Sequence, residues 1–340
     1  MRVLHVYKSY FPETQGGLEE TIRQICHSTR HQGLSNEIFT LGPRGGAHII
    51  QCEEARVQRW PRDLEVASCG MSAAALVHFR QAARNADLLH YHYPWPFADL
   101  MHLISGTDTP AVLTYHSDIV RQRLLESLYR PLREWFFGRL SRIVCTSPHY
   151  QASSDVLAAL PEKRRGHPTV DVIPIGLTRE TYPEPDAETL AEAEQRWGRD
   201  FFLFVGMLRY YKGLHVLLEA AARTEAPVVI AGKGPEENAL RKQARQAGLS
   251  NVHFTGYVSD ACKAALYRLS SAVVFPSHLR SEAFGISLVE GAMYARPLIS
   301  TDIGTGTSYV NAHQESGLVV PPNDADALAG AMERLYRDET

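Results

Sequence analysis

The strongest constraint on the fold of this chain is an alternation of short apolar runs and helical patterns that plays out once, pauses, and begins again. Arg2 to Tyr7, Asn36 to Leu41, Val57 to Trp60, Asp87 to Tyr91, Ala111 to Tyr115, Arg142 to Cys145 and Val170 to Ile173 read as strands. Leu18 to His31, Ser72 to Arg84 and roughly Arg121 to Leu140 carry helical patterns between them. Pro174 to about Asp200 brings Pro, Glu and Thr and few strand formers, so the linker is placed there. The pattern restarts with strands at Phe201 to Val205, Val228 to Ala231, Val252 to Phe254, Ala272 to Phe275 and Pro297 to Ser300. Two successive βαβ sets predict an α/β protein of two doubly wound parallel-sheet domains, residues 1–175 and 176–340. A chain of 340 residues is also too long for one ordinary core. A cleft between two such domains is the natural ligand site.

Composition narrows the function classes. With 44% hydrophobic and 21% charged residues the chain is an ordinary globular one. A net charge of −3 argues against general nucleic-acid binding. The opening Met1-Arg-Val-Leu-His-Val-Tyr7 is too short and too interrupted for a signal peptide. No run reaches the ~18 apolar residues that a membrane span needs. Cys26, Cys52, Cys69, Cys145 and Cys262 are scattered without a CxxC, which reads as reduced core thiols in a cytoplasmic protein.

The motifs that carry chemistry sit at strand ends, where open α/β sheets bind their ligands. In Glu282-Ala-Phe-Gly-Ile-Ser-Leu-Val-Glu290 one carboxylate lies in a loop after a strand and the other in the first turns of a helix. The helix start at Gly285 and Ile286 offers free N–H groups and a positive dipole end suited to a phosphate. Taken alone, the pair equally describes a loop acid and a solvated helix acid. In Gly206-Met-Leu-Arg209-Tyr-Tyr-Lys212-Gly213, a guanidinium and an ammonium sit where a strand gives way to a helix and can clamp a diphosphate; a solvated basic turn is the plainer alternative.

Gly16 and Gly17, in Pro12-Glu-Thr-Gln-Gly-Gly-Leu-Glu19, lead straight into a helix and allow close backbone approach to a ligand, or simply make a tight turn. That loop is not the GxGxxG fingerprint, which disfavours a nicotinamide dehydrogenase. Ala231-Gly-Lys-Gly-Pro235 is again strand, glycine loop and helix, a pocket wall or a plain turn. His116, in Thr114-Tyr-His-Ser-Asp118, ends a strand of the first half, with Asp118 placed to orient it. His90, Tyr91, His92 and Tyr93 end another, His92 on the acceptor side. Asp324-Ala-Asp326 imitates a metal-binding D-x-D but opens a helical run after Pro321-Pro-Asn323, so Asn323 or Asp324 reads as a helix cap and no metal is assigned.

Together these residues resemble the GT-B glycosyltransferases, in particular the family-four group of retaining enzymes, over almost the whole chain. The E-x-F-G-x-x-x-x-E segment is the most specific mark, followed by R-x-x-K-G, the Gly-Gly loop, His116 and Glu315-Ser-Gly-Leu-Val-Val-Pro-Pro322 in the same order. The resemblance implies two Rossmann-like domains facing across a cleft, the first on the acceptor side and the second binding the nucleotide sugar. It implies that Arg209 and Lys212 neutralise the donor diphosphate and that Glu290 binds the ribose hydroxyls. Glu282 contacts the donor sugar, with Phe284, Gly285 and Ile286 nearby, and Gly256, Tyr257 and Val258 lie by the base. Gly16 and Gly17 approach the diphosphate and sugar, and His116 contacts the sugar. Retention in this family is usually described as a front-face reaction in which the leaving phosphate takes the acceptor proton, so Glu282 is a donor-positioning residue. No cofactor and no metal is implied beyond the substrate nucleotide sugar.

Two departures from the family pattern stand out. The usual Gly-Gly-x-x-Glu is replaced by Thr301-Asp-Ile-Gly-Thr-Gly-Thr-Ser308, which lacks the Glu but keeps Gly304 and Gly306 for close approach to a phosphate. Family chains usually continue past the last helix with a segment crossing back to the first domain, whereas this sequence stops at Thr340, so it is truncated or minimal and weaker interdomain packing is expected.

The segment His5-Val-Tyr-Lys-Ser-Tyr-Phe-Pro12 is similar to bacterial surface-polysaccharide mannosyl- and rhamnosyltransferases, which implies a GDP-mannose or GDP-D-rhamnose donor and a glycan or lipid-linked glycan acceptor. A UDP-hexose donor, a non-catalytic GT-B partner and a sugar-nucleotide epimerase of the same architecture are the alternatives. The run Arg121 to Phe137 mixes arginines with Leu, Trp and Phe. It reads more readily as a core-packing helix with a solvated face and otherwise as a peripheral contact with the cytoplasmic face of an anionic membrane, with Pro131 kinking it.

Overall fold

Strands buried on both faces need unbroken apolar runs rather than alternation, and Phe201-Phe-Leu-Phe-Val205 is such a run. In the computed structural model, which describes residues 1–43, 45–120, 123–160 and 168–337, the chain forms two units, Met1–Gly176 and Leu177–Thr340.

The first unit contains strands β1 (Arg2–Val6), β2 (Ser35–Gly42), β3 (His48–Gln51), β4 (Arg56–Pro61), β5 (Leu64–Val66), β6 (Cys69–Met71), β7 (Leu88–Tyr93), β8 (Ala111–Tyr115), β9 (Arg142–Cys145) and β10 (Thr169–Val172). Its helices are α1 (Gly17–Arg30), α2 (Ala73–Arg84), α3 (Pro96–Ser105), α4 (Arg123–Phe137), α5 (Pro148–Ser153) and α6 (Asp155–Ala158). The main sheet runs β10-β9-β8-β7-β1-β2-β4-β3, and β5 and β6 form a separate hairpin. Only the edge strand β3 is antiparallel in that sheet. The order reverses between β1 and β7, which pair in register with His5 beside His90.

The second unit contains a 3-10 turn at Arg179–Thr181, α7 (Ala187–Trp197), β11 (Phe201–Val205), a 3-10 turn at Tyr210–Lys212, α8 (Leu214–Ala221), β12 (Val228–Ala231) and α9 (Glu237–Gln246). It continues with β13 (Val252–Gly256), α10 (Asp260–Leu269), β14 (Ser270–Phe275), α11 (Ile286–Met293), β15 (Leu298–Thr301), α12 (Thr307–Val310), β16 (Gly317–Val320) and α13 (Ala325–Arg337). Its sheet runs β13-β12-β11-β14-β15-β16, all parallel, and reverses between β11 and β14. One face of this sheet packs Phe202, Phe204, Val228, Ile230, Val274 and Ile299 with α8 and α13. The other packs Phe201, Leu203, Val273 and Phe275 with α10 and α11.

The expected linker is only partly a linker. Its second half is α7, capped by Asp186, whose carboxylate accepts from Thr189 N–H at 2.8 Å, and it seats Ala193, Leu190 and Trp197 on the core. Asp and Thr three apart before an apolar-periodic run are a helix-start signal that the Pro and Glu content hid. Helix α3 and strands β3, β5, β6 and β16 were also absent from the expected elements. The long amphipathic helix is α4, which runs through Pro131; Arg121 and Gln122 lie outside the described residues. Cys26 and Cys145 are buried, while Cys52, Cys69 and Cys262 are only partly so, which corrects the expectation of five core thiols. Among the described residues no helix is long and apolar enough to cross a membrane.

Helix α11 lies close to the sheet because of Gly291: a Cβ there would stand 2.8 Å from Val273 Cγ2 and 2.9 Å from Leu298 Cδ2. Gly291→Ala should push α11 off β14 and β15 and lower stability by about 1–3 kcal/mol, the usual range for an overpacked core. Thermal unfolding of the variant checks this, and an unchanged melting temperature would show that the helix–sheet spacing is not tight.

Candidate active site

The loops that follow β11 and β14 leave the sheet side by side at the point where strand order reverses, the place where open α/β sheets take ligands. They are stitched together. Gly213 has φ +67°, and a Cβ there would collide with the carbonyl oxygen of Pro276. His278 N–H donates to Tyr211 C=O at 3.0 Å. From one loop the Lys212 ammonium donates to the Glu282 carboxylate of the other, with the two side chains only 13% and 12% exposed. Lys212 Nζ also lies 4.6 Å from the Phe275 ring centroid and 5.5 Å from that of Tyr211. Arg209 is exposed, its Nε directed at Met207 Sδ, 3.0 Å away. The two cations of the R-x-x-K motif therefore differ: Lys212 is paired in an apolar setting and Arg209 faces solvent.

Glu290 is held differently. It is 4% exposed, its Oε2 accepts from the Tyr267 hydroxyl at 2.7 Å and its Oε1 from Lys263 Nζ at 2.9 Å. Tyr267 stacks on Tyr294 with centroids 5.2 Å apart and planes 3° apart. Burial, then the charge of Glu290, pushes the Tyr267 hydroxyl well above the usual phenol range, so it remains a donor. Lys263 and Tyr267 went unnoticed in the sequence; their signal is an i,i+4 spacing on α10 that presents both to one carboxylate.

Gly285 caps α11 at φ +92°, Ile286 opens the helix and Phe284 is buried behind it. The atypical Gly304-Thr-Gly306 loop braces this segment, since Gly306 N–H donates to Ala283 C=O at 2.8 Å. At the end of β13, Gly256 turns at φ +72° and leaves Tyr257 59% exposed, with Val258 packed on the core. Ser277 Oγ and His278 Nδ1 are buried with no hydrogen-bond partner among the described residues. Asp324 caps α13 by accepting from Ala327 N–H at 2.8 Å, as the sequence led one to expect.

In the first unit Gly16 caps α1 in an extended conformation and Gly17 begins the helix. His116 lies just past β8 and is 4% exposed. Its ring partner is His92, with Nε2 3.0 Å from His92 Nδ1. Asp118 does not orient His116 as expected: it takes the Tyr115 hydroxyl at 2.7 Å and the Ser154 hydroxyl at 2.6 Å. Nor does His92 face outward; it is 1% exposed and also meets His5, Nε2 to Nδ1 at 3.3 Å. His90 contacts Thr114 Oγ1 at 2.7 Å. One ring nitrogen from each of His5, His90 and His92 lies within 4.8 Å of the others, a spacing that can hold a metal ion.

Burial keeps this group neutral. It lowers His5 to about 4 and His116 to about 3, and holds His90 and His92 well below the usual range. The unfolded chain regains ordinary histidines near 6.5, so it takes up protons first as pH falls. The folded state is therefore favoured above pH 6.5 and loses ground below it. Each of His5 and His116 should remove about 2 kcal/mol of stability between pH 7.5 and 5. Denaturant midpoints at the two pH values read the effect, and equal midpoints would mean that these rings are charged or solvated in the folded protein.

Comparison with known proteins gives the family and the fold. Residues 15–164 match the model of glycosyltransferase family 4 and residues 186–340 that of glycosyl transferases group 1. The chain is 50% identical to the D-rhamnosyltransferase WbpZ of Pseudomonas aeruginosa over 99% of its length and 87% of that protein's. It is 48% identical to the O-antigen chain mannosyltransferase C of Escherichia coli over 100% of its length and 90% of that protein's. In fold it is similar to sucrose-phosphate synthase from Thermosynechococcus elongatus, with a TM-score of 0.80 at 20% identity over 99% of this chain and 90% of that one. Two parallel α/β units, carboxylates and cations gathered at a strand-order reversal, and matches along nearly the whole length identify the chain as a member of the family-four glycosyltransferases, an enzyme of GT-B fold that uses a nucleotide-sugar donor and a glycan acceptor.

Proposed function

We propose that this protein is a retaining, metal-independent hexosyltransferase that moves mannose or D-rhamnose from a GDP-sugar to a glycan or lipid-linked glycan during assembly of a bacterial surface polysaccharide. The observation that carries the reading is the Lys212–Glu282 pair at the reversal of the second sheet, beside the N-terminus of α11. Breaking the anomeric C–O bond leaves negative charge on the diphosphate and positive charge on the sugar ring. Lys212, Arg209 and the N–H groups at Gly285 and Ile286 answer the first charge, and Glu282 positions the sugar. Glu290, held rigid by Tyr267 and Lys263, receives the ribose hydroxyls on its remaining lone pairs, and exposed Tyr257 with Gly256 and Val258 offers a face to the base. Gly16, Gly17 and His116 are the residues of the first unit that the reading assigns to donor binding. The leaving phosphate takes the acceptor proton, so the chain's own residues need hold no metal. The printed activities of the 50% and 48% identical relatives favour D-rhamnose or mannose.

The acceptor reading fits a place at the cytoplasmic face of the inner membrane. Phe136 and Phe137 anchor the end of α4 in the core, while Leu125 and Leu128 are exposed on its earlier turns beside exposed Arg130. The core-packing use is therefore present at the end of the helix, and the exposed leucines of its earlier turns support a peripheral membrane contact.

Lys212→Gln and Glu282→Gln should each lower kcat by about 10²–10³-fold, the usual loss when one stabiliser of developing charge is removed. Each leaves a partly buried charge without its partner, so melting temperatures are measured alongside; full activity in a folded variant would displace the pair from the reaction centre. For the donor, transfer is measured with GDP-D-rhamnose, GDP-mannose, UDP-glucose and UDP-galactose. Turnover confined to the GDP-sugars is the expected result, and turnover confined to UDP-sugars would overturn the choice.

A further inference from the structure

Four residues of the first unit form a line: Asn36 on β2, His5 on β1, His92 on β7 and His116 beyond β8. The contacts are Asn36 Oδ1 to His5 Nε2 at 3.4 Å, His5 Nδ1 to His92 Nε2 at 3.3 Å and His92 Nδ1 to His116 Nε2 at 3.0 Å. The rings are strung edge to edge rather than face to face. His92 and His116 have centroids 5.3 Å apart and planes 21° apart, and His5 and His92 have 5.6 Å and 23°. Those separations are close to the N···N distances plus the two ring radii, so the nitrogen lone pairs point along the line. His90 stacks on the face of His92 at 4.4 Å and stands outside the line.

The direction of the line is set at its inner end. Asn36 Nδ2 donates to Cys26 C=O at 2.9 Å and to Thr29 Oγ1 at 3.1 Å. Thr29 spends its own proton on Ile25 C=O at 2.7 Å. A flipped amide would set Asn36 Oδ1 against the Cys26 carbonyl, acceptor on acceptor, so both N–H groups are committed and Oδ1 must accept. His5 therefore carries its proton on Nε2 and presents a bare Nδ1. His92 in turn donates through Nε2 and presents a bare Nδ1, and His116 donates through Nε2. Each ring is neutral, burial having pushed all three well below ordinary histidine, so each has one proton to place.

We infer that Asn36, His5 and His92 are positioning residues that fix the tautomer of His116, leaving Nδ1 as a lone pair that accepts a hydrogen bond from a hydroxyl of the sugar substrate. The proposal rests on the reading that His116 meets the donor sugar. Among the described residues His116 Nδ1 has no hydrogen-bond partner, and the backbone N–H of His116 is already bonded to Tyr93 C=O at 3.1 Å. The same commitment of lone pairs argues against a metal on His5, His90 and His92: the His5 and His92 nitrogens nearest each other are already donor and acceptor to one another.

The test is the histidine tautomer, read by long-range ¹H–¹⁵N NMR on the full chain without any sugar nucleotide, so that it does not depend on the functional reading. The expected result is a proton on Nε2 and a bare Nδ1 for His5, His92 and His116 alike. In His5→Leu the line loses its anchor. His116 should then gain an Nδ1–H population, and kcat should fall on the order of tenfold, the worth of one hydrogen bond in the transition state. His5→Gln should restore both, because its amide nitrogen can donate to Asn36 and its oxygen can accept from His92. A wild-type proton on His116 Nδ1, or stoichiometric transition metal in the purified protein, would overturn the proposal. So would a His5→Leu variant that melts earlier but keeps both the His116 tautomer and kcat, because that pattern is packing alone. Loss of transfer in His116→Ala tests the underlying reading separately.

Discussion

A parallel sheet covered by helices on both faces has room for chemistry only at its strand ends. That constraint organises the second unit. Phe201, Phe202, Leu203, Phe204, Val273, Val274 and Phe275 are all fully buried, so β11 and residues 272–275 of β14 fill the two central positions with no polar side chain of their own. What they can offer comes immediately after them. The reversal of strand order leaves a gap between the two exits, and the loops that fill it carry Arg209, Lys212, Glu282 and the free N–H groups of α11. The apolar floor also sharpens the electrostatics. With Phe275 beneath it, Lys212 interacts with a carboxylate or phosphate far more strongly than it would in water.

The first sheet departs from this rule in one stripe. His5, His90 and His92 lie on strand faces within the layer rather than beyond it, and a buried polar ring is costly unless its nitrogens are bonded. The contacts to Asn36, Thr114 and His116 meet that requirement with neutral rings, at the price of stability in acid. An imidazolium in the same place would be far costlier, because burial leaves its charge without solvent; His92 is held well below the usual range chiefly in that way. The stripe runs toward the carboxyl ends of β7 and β8, so the interior network emerges where the strand-end constraint puts function.

The parts of this fold that were legible in the sequence are those where one local signal suffices. Unbroken apolar runs gave the central strands, and glycines directly after a strand gave the turn, as at Gly232 and Gly234 between β12 and α9. Elements resting on mixed signals were not legible. Helix α7 sits among Pro and Glu that suggested a linker, and α3 begins at a proline, Pro96, two residues after a second one, Pro94, which follows the last residue of β7. In the site, the sequence offered residues but not pairings. It proposed Asp118 for His116 because the two are neighbours in the chain, yet the partner is His92 on the next strand, a relation that only the register of β7 and β8 creates. For the same reason Lys263 and Tyr267 stayed hidden: nothing within α10 reveals that Glu290, from a different helix, is what they face.

The two carboxylates of the Glu282–Glu290 segment, eight positions apart, are prepared for opposite tasks. Glu290 lies inside a helix and is clamped by two donors from another, so it keeps its position whether or not a ligand is present. Glu282 lies in a loop and is held by one ammonium. Breaking a buried ion pair by removing one partner costs about 3–5 kcal/mol because the other charge is left uncompensated. Exchange of partners avoids that cost. On the proposed function, a diphosphate reaching Lys212 would leave the cation with an anionic partner throughout, and Glu282 would be released only as sugar hydroxyls become available to donate to it. Both halves of the exchange are needed, so a nucleotide without its sugar satisfies Lys212 but leaves Glu282 short of donors. In that role the pair would link recognition of the diphosphate to recognition of the sugar, a coupling that neither residue can supply alone.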